Sequence, residues 1–179
     1  RNARSPGGIG RFLIPPFRIR KRYEHCQARC SGLDGAPLGP HPPRMVKVKI
    51  CGLTTVDDAA RCVELGADAL GLNFWAGSPR STDLRTARRI VEAVGEEATL
   101  VAVFVDAGLE EIREVLQQSG IAWAQLHGAE PPVLVESLLP TAYKAIGVKE
   151  GSAIELARGY PGEHLLLDAS VPGMPGGTG

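Results

Sequence analysis

Between residues 46 and 168 a short Val/Ile/Leu/Ala-rich segment is followed by a longer amphipathic one, and the pair recurs without interruption. The short segments are 46–51, 68–74, 99–105, 122–126, 142–146 and 164–168; the helical ones fall near 55–65, 84–94, 108–118, 130–138 and 150–158. Strict alternation of this kind implies parallel strands joined by helical crossovers, because a parallel pair cannot be closed by a tight hairpin. Such strands are covered on both faces, which suits runs as apolar as 99–105, TLVAVFV. An open doubly wound sheet and a closed barrel both satisfy the pattern. Helix starts carry capping signals: Thr54 ahead of Asp57 and Asp58, Thr82 and Asp83 ahead of the second helix, and Ser152 ahead of a weaker fifth. Gly66 and Gly120 are placed to end helices in the left-handed conformation.

Polar residues collect where the strands end: Cys51, Asn73, Asp106, His127 and Asp168. Parallel strands carry all their C-terminal ends to one face, and in a (β/α)₈ barrel that face holds the active site. A lone strand-end Asp such as Asp106 is more often a loop or cap residue; five polar ends together point to a shared site. Alternation adds direction. Val46, Val48 and Ile50 form an apolar face suited to a ring of helices, and Lys47, Lys49 and Cys51 form the other. Lys49 then points inward, where its charge needs a partner. In the last segment Leu165 and Leu167 are expected toward helices, with Leu166 and Asp168 facing inward, as is Phe104.

The motifs at these positions carry a resemblance. Lys49-Ile50-Cys51-Gly52-Leu53-Thr54 is followed in order by GADALGLNFW at 66–75, SPR at 78–80, VAVFVD at 101–106, QLHG at 125–128, KAIGV at 144–148, LLLDA at 165–169 and PGGTG at 175–179. The set resembles the phosphoribosylanthranilate isomerases over residues 45–179. The resemblance implies a (β/α)₈ TIM barrel of which strands 1–6 of 8 are present. It also implies an Amadori rearrangement of N-(5-phosphoribosyl)anthranilate, with Cys51 as general base and Asp168 as general acid. Arg80 is implied at the anthranilate carboxylate, His127 near the substrate, and Gly176 and Gly177 at the edge of a phosphate site. One acid and one base suffice for this reaction, so no cofactor or metal is expected. Cys51 must act as a thiolate, which a nearby positive charge such as Lys49 favours. Position alone leaves Cys51 equally readable as a small buried residue.

Strands 7 and 8, whose loops build the phosphate site in many barrels, have no counterpart before Gly179. The expectation is therefore an incomplete isomerase domain, with exposed edges at strands 1 and 6 and little activity by itself. Three alternatives are weighed. An indole-glycerol-phosphate synthase would need a catalytic Lys and carboxylates on other strands. A non-enzymatic flavodoxin-like module would use five strands and one switch-point crevice. The third is an inert fragment of the isomerase.

Residues 1–44 read differently. They hold nine basic and two acidic residues, seven prolines and six glycines, with no sustained period of 2 or 3.6. They are expected to be an unstructured or non-native leader, and 45–179 the folded domain. Cys26 and Cys30, with His25 and His41 nearby, are too sparse to specify a zinc site. Residues 45–179 carry eleven basic against eighteen acidic residues, which gives no electrostatic reason to expect nucleic acid or an anionic membrane as partner. A small phosphosugar is the expected ligand and the cytoplasm the expected compartment.

Overall fold

The computed structural model describes residues 47–148 and 153–169, in which strands and helices alternate throughout. In chain order they are β1 (Lys49–Cys51), α1 (Val56–Glu64), β2 (Ala69–Asn73), α2 (Leu84–Val94), β3 (Thr99–Phe104), α3 (Leu109–Ser119), β4 (Trp123–Leu126), α4 (Pro132–Leu138), β5 (Ala142–Val148), α5 (Ala153–Arg158) and β6 (Leu165–Ala169). The strands form one parallel sheet in the order β1-β2-β3-β4-β5-β6. This sequential order is that of a (β/α)₈ barrel and excludes the flavodoxin-like alternative, which needs its first strand inside the sheet. The leader, Val46 and Ser152 lie outside the described residues.

The sheet curls. Neighbouring strands lie about 4.8 Å apart, so in a flat sheet β1 and β4 would be separated by roughly 14 Å. Yet Lys49 on β1 hydrogen-bonds Gln125 on β4, and His127, just past β4, reaches Asp168 on β6. Contacts between strands two and three places apart require a concave inner face.

The outer face carries the core. Leu70, Leu72, Leu100, Ala102, Phe104, Ala124 and Leu126 from the strands meet Ala59, Ile90, Ile112 and Val135 from the helices. Each fully buried Leu, Ile or Phe contributes about 1.5–3 kcal/mol. Phe104 thus faces the helices, not the barrel interior as the sequence suggested; it stacks on Phe74 with ring centroids 5.7 Å apart. The reason is strand parity: Leu100, Ala102 and Phe104 share one side, leaving Val101 and Val103 for the other. A second departure concerns the edges. Val48, Ile50, Leu165 and Leu167 were expected under helices, but all are exposed, Leu167 by 62%. An outward residue is covered by helices lying on both sides of its strand, and β1 and β6 each have a neighbouring strand on one side only.

Capping follows the expected chemistry with one shift. Thr55, rather than Thr54, caps α1, accepting from the Asp58 amide at 3.1 Å. Asp83 caps α2 through the Thr86 amide at 2.6 Å, and that bond holds its carboxyl below the ordinary value. Gly120 ends α3 with φ 78° and Gly66 follows α1 with φ 95°, both conformations that a Cβ disfavours.

Candidate active site

The inner face at the C-terminal ends of the strands carries one connected polar network. On β1, Cys51 is exposed and Lys49 partly buried. Their spacing of two residues puts both side chains on the concave side, and the Lys49 Nζ lies 3.8 Å from the Cys51 Sγ. Burial holds the Lys49 ammonium below its ordinary range, while the adjacent sulfur acts in the opposite direction. Gly71 lies opposite Cys51 in the β1–β2 register, and a Cβ there would fall 2.6 Å from the sulfur.

Lys49 donates to the Oε1 of Gln125, which is only 2% exposed. The same oxygen accepts from the Tyr143 hydroxyl at 3.0 Å. Burial and the neighbouring Cys51 push the Tyr143 phenol well above its usual value of 10, so it remains a donor. The other end of the amide, Nε2, sits 3.0 Å from His127 Nδ1. The far ring nitrogen, Nε2, is 3.1 Å from Asp168 Oδ2. A thiol and a carboxyl on strands at opposite ends of the sheet are therefore linked through Lys49, Gln125 and His127.

Arg80 reaches the same rim from the loop after β2. Its guanidinium donates to the Cys51 carbonyl at 3.2 Å, and its stem lies against Gly52, where φ is 85°. Four residues expected at the site fall into two direct pairs, Lys49 with Cys51 and His127 with Asp168, which Gln125 bridges, and Arg80 is adjacent. Gly176 and Gly177 lie outside the described residues. Asn73 and Asp106 are loop fasteners: Asn73 Oδ1 accepts from the Trp75 amide at 2.9 Å, and Asp106 Oδ1 from the Ala129 amide at 2.6 Å. Asp106 adopts φ 55° to do so.

Three participants escaped the sequence reading. Gln125 and Tyr143 lie on the inward parity of β4 and β5, and Gln125 shares that parity with His127. The third is an ion pair behind the loop that carries His127. Lys144 and Glu130, with side chains 4% and 1% exposed, meet at 3.0 Å. Glu130 also accepts from the amides of Asp106 and Gly128, and Lys144 donates to the carbonyls of Leu126, Gly128 and Ala145.

The network can do acid–base chemistry on a small molecule. Its exposed thiol has a cationic neighbour, its carboxyl is held by an imidazole, and an arginine beside them is suited to a carboxylate.

Comparison with known proteins gives a consistent result. Residues 48–179 match the family described as N-(5'-phosphoribosyl)anthranilate isomerase. A Pseudomonas putida protein of that name is 43% identical over 136 residues, which are 75% of this chain and 66% of the relative. The crystal structure of phosphoribosyl anthranilate isomerase from Thermotoga maritima superposes with a TM-score of 0.67 at 37% identity, covering 74% of this chain and 66% of that one. A structure of the isomerase in complex with reduced 1-(o-carboxyphenylamino)-1-deoxyribulose 5-phosphate matches at 37% identity and a TM-score of 0.65, covering 70% of this chain and 66% of that one. The chain thus spans 66% of the length of these relatives.

Proposed function

The chain belongs to the N-(5'-phosphoribosyl)anthranilate isomerase family, and we propose that it carries the acid–base half of that family's site and acts in the isomerisation step of tryptophan biosynthesis. The observation that carries this reading is the linkage of Cys51 to Asp168 across the concave face.

In the proposed reaction the protonated Asp168 gives its proton to the furanose ring oxygen as the C1–O bond breaks. The anilino nitrogen supplies the electron pair, leaving an iminium at C1. The Cys51 thiolate then removes the C2 proton, and the C2–H electrons form the enolamine. Return of a proton to C1 and loss of the C2 hydroxyl proton give the ketone. Nothing is oxidised or reduced overall, and the steps require no cofactor. Arg80 is proposed to hold the anthranilate carboxylate. Its guanidinium is exposed at the rim and anchored to the Cys51 carbonyl, which sets the aromatic ring beside the thiol. Gly176 and Gly177 are proposed at the phosphate.

The ligand class is a small phosphosugar, with no part for nucleic acid or membrane. No helix among the described residues is long and apolar enough to cross a membrane, and a cytoplasmic location is proposed from the biosynthetic role. The domain boundary is proposed near Met45. Limited proteolysis should cut before it and leave the barrel strands intact; protection of Arg18–Arg29 would contradict that boundary.

The test of function is turnover of N-(5'-phosphoribosyl)anthranilate by this chain, and by the chain joined to the last third of a relative. Cys51→Ala and Asp168→Asn should each lower kcat about 10²–10⁴-fold with a much smaller change in KM, because an acid or base acts mainly in the transition state. Unchanged turnover in Cys51→Ala would remove the thiol from the mechanism.

A further inference from the structure

We propose that Gln125 is a positioning residue that fixes His127 as its Nε2–H tautomer, so that the imidazole serves Asp168 as a hydrogen-bond donor. The inference rests on the isomerase reading for its consequence in turnover, but not for the tautomer itself.

The argument begins at Lys49. An ammonium has three donors and no acceptor, so the buried amide must turn its oxygen toward Lys49. The Tyr143 hydroxyl donates to the same oxygen at 3.0 Å and reinforces that orientation. A reversed amide would aim N–H groups at an ammonium inside a buried site and leave those donors unpaired, which a buried site disfavours. With Oε1 committed, Nε2 of Gln125 faces His127 Nδ1 at 3.0 Å. The amide nitrogen is a donor only, so Nδ1 must be the bare, accepting nitrogen. In the neutral ring the proton then resides on Nε2, which lies 3.1 Å from Asp168 Oδ2.

This assignment has a consequence at the acid. Oδ2 of Asp168 accepts from His127, so the transferable proton is carried on Oδ1 and is free to be aimed at the substrate. Once that proton has left, the N–H bond is to a full carboxylate and strengthens, as charge-assisted hydrogen bonds do. The opposite tautomer would place a lone pair against Asp168. The carboxyl proton would then be drawn toward the imidazole and away from the ring oxygen. Among the described residues, the chargeable groups bonded to His127 and Gln125 are Asp168 on β6, Lys49 on β1 and Tyr143 on β5, with Cys51 next to Lys49. The tautomer is therefore best read in the pH range where the imidazole is neutral.

The test is nitrogen NMR of the full 179-residue chain with labelled histidine, the His127 signals being assigned by their loss in His127→Gln. The expected result is a protonated Nε2 and a bare Nδ1. A protonated Nδ1 in the unmodified chain overturns the proposal, and that measurement needs no variant to fold. In Gln125→Glu a carboxylate replaces the donor, and Nδ1 should become protonated. Retention of a lone Nε2–H in a folded Gln125→Glu chain would show that Gln125 does not set the tautomer. Where turnover is measured, that variant should lose about tenfold or more in kcat with a smaller change in KM, up to the roughly 10²–10⁴-fold that a positioned acid supplies. A switched tautomer with unchanged kcat would overturn the link from His127 to Asp168. Absence of isomerisation in the parent would count against the proposed function while leaving the tautomer assignment standing.

Discussion

Lys144→Met should destabilise the fold more than any exposed charge change, although none of the residue's hydrogen bonds or ion pairs is to the Cys51 thiol or the Asp168 carboxyl. The substitution keeps an unbranched side chain, one atom shorter, and removes its charge. Glu130 would then remain as a buried carboxylate, 1% exposed, with only the Asp106 and Gly128 amides to solvate it. Removing one member of a buried pair typically costs about 3–5 kcal/mol, because the other charge is left uncompensated. The carbonyls of Leu126, Gly128 and Ala145 each lose a donor as well, which places the expected cost in the upper part of that range. Against a total of roughly 5–15 kcal/mol for a domain this is a large fraction. Glu130→Gln added to Lys144→Met removes the stranded charge and retains an acceptor for the two amides. The double variant should therefore be more stable than Lys144→Met alone. Urea unfolding followed by fluorescence of Trp75 and Trp123, fitted at constant slope, measures the parent, Lys144→Met, Glu130→Gln and the double variant. A cost below about 1 kcal/mol for Lys144→Met, or strict additivity in the double variant, would refute the reasoning by showing that water already solvates the pair.

Other substitutions probe separate parts of the structure. Phe104→Ala should cost about 3–5 kcal/mol in the same unfolding assay, the penalty for emptying a packed aromatic site; a cost near zero would return Phe104 to an open inner face. Thr55→Ala should cost about 1 kcal/mol through loss of the α1 cap, whereas Thr54→Ala should leave stability nearly unchanged. Tyr143→Phe tests the alkaline limb. The phenol value is raised above 10 in the folded chain, so the unfolded state loses that proton first, and stability should fall as pH rises past about 10. The Phe variant should show a shallower decline, and identical slopes would count against the buried phenol.

The alternation of elements and their order were legible because each segment states its own period. Facing was legible only where polarity alternates. In the segment 46–51, VKVKIC, lysines alternate with valines and an isoleucine, and Lys49 and Cys51 do share the inner side. In β3 the run TLVAVF is apolar on both faces, so parity cannot be read, and Phe104 was misassigned. The Thr54–Thr55 pair offers two equivalent cap side chains, and only the backbone geometry chooses between them. The Lys144–Glu130 pair was hidden for a different reason. A charged residue in a sequence is assigned to solvent by default, and nothing local says that two of them will be driven together behind a loop. Gln125 was within reach, since parity groups it with His127, but its partners Lys49 and Tyr143 come from other strands and depend on curvature.

Gly71 shows how far this curvature and register extend into what the chain can vary. Its own backbone does not demand glycine, because its φ lies outside the left-handed region. The demand comes from the next strand, where the Cys51 sulfur occupies the space that a Cβ at position 71 would need. The two positions are thus coupled in sequence space: β1 can present a sulfur there only while β2 presents a hydrogen. Alanine at 71 alone would press on the thiol, whereas alanine at both positions removes the 2.6 Å clash and leaves the Cα and Cβ of residue 51 at 3.3 Å, a tight approach that a small shift of β1 against β2 would have to absorb. A change at one strand is thus eased, though not wholly freed, by loss of the sulfur on the other, so the identities of residues 51 and 71 are expected to vary together.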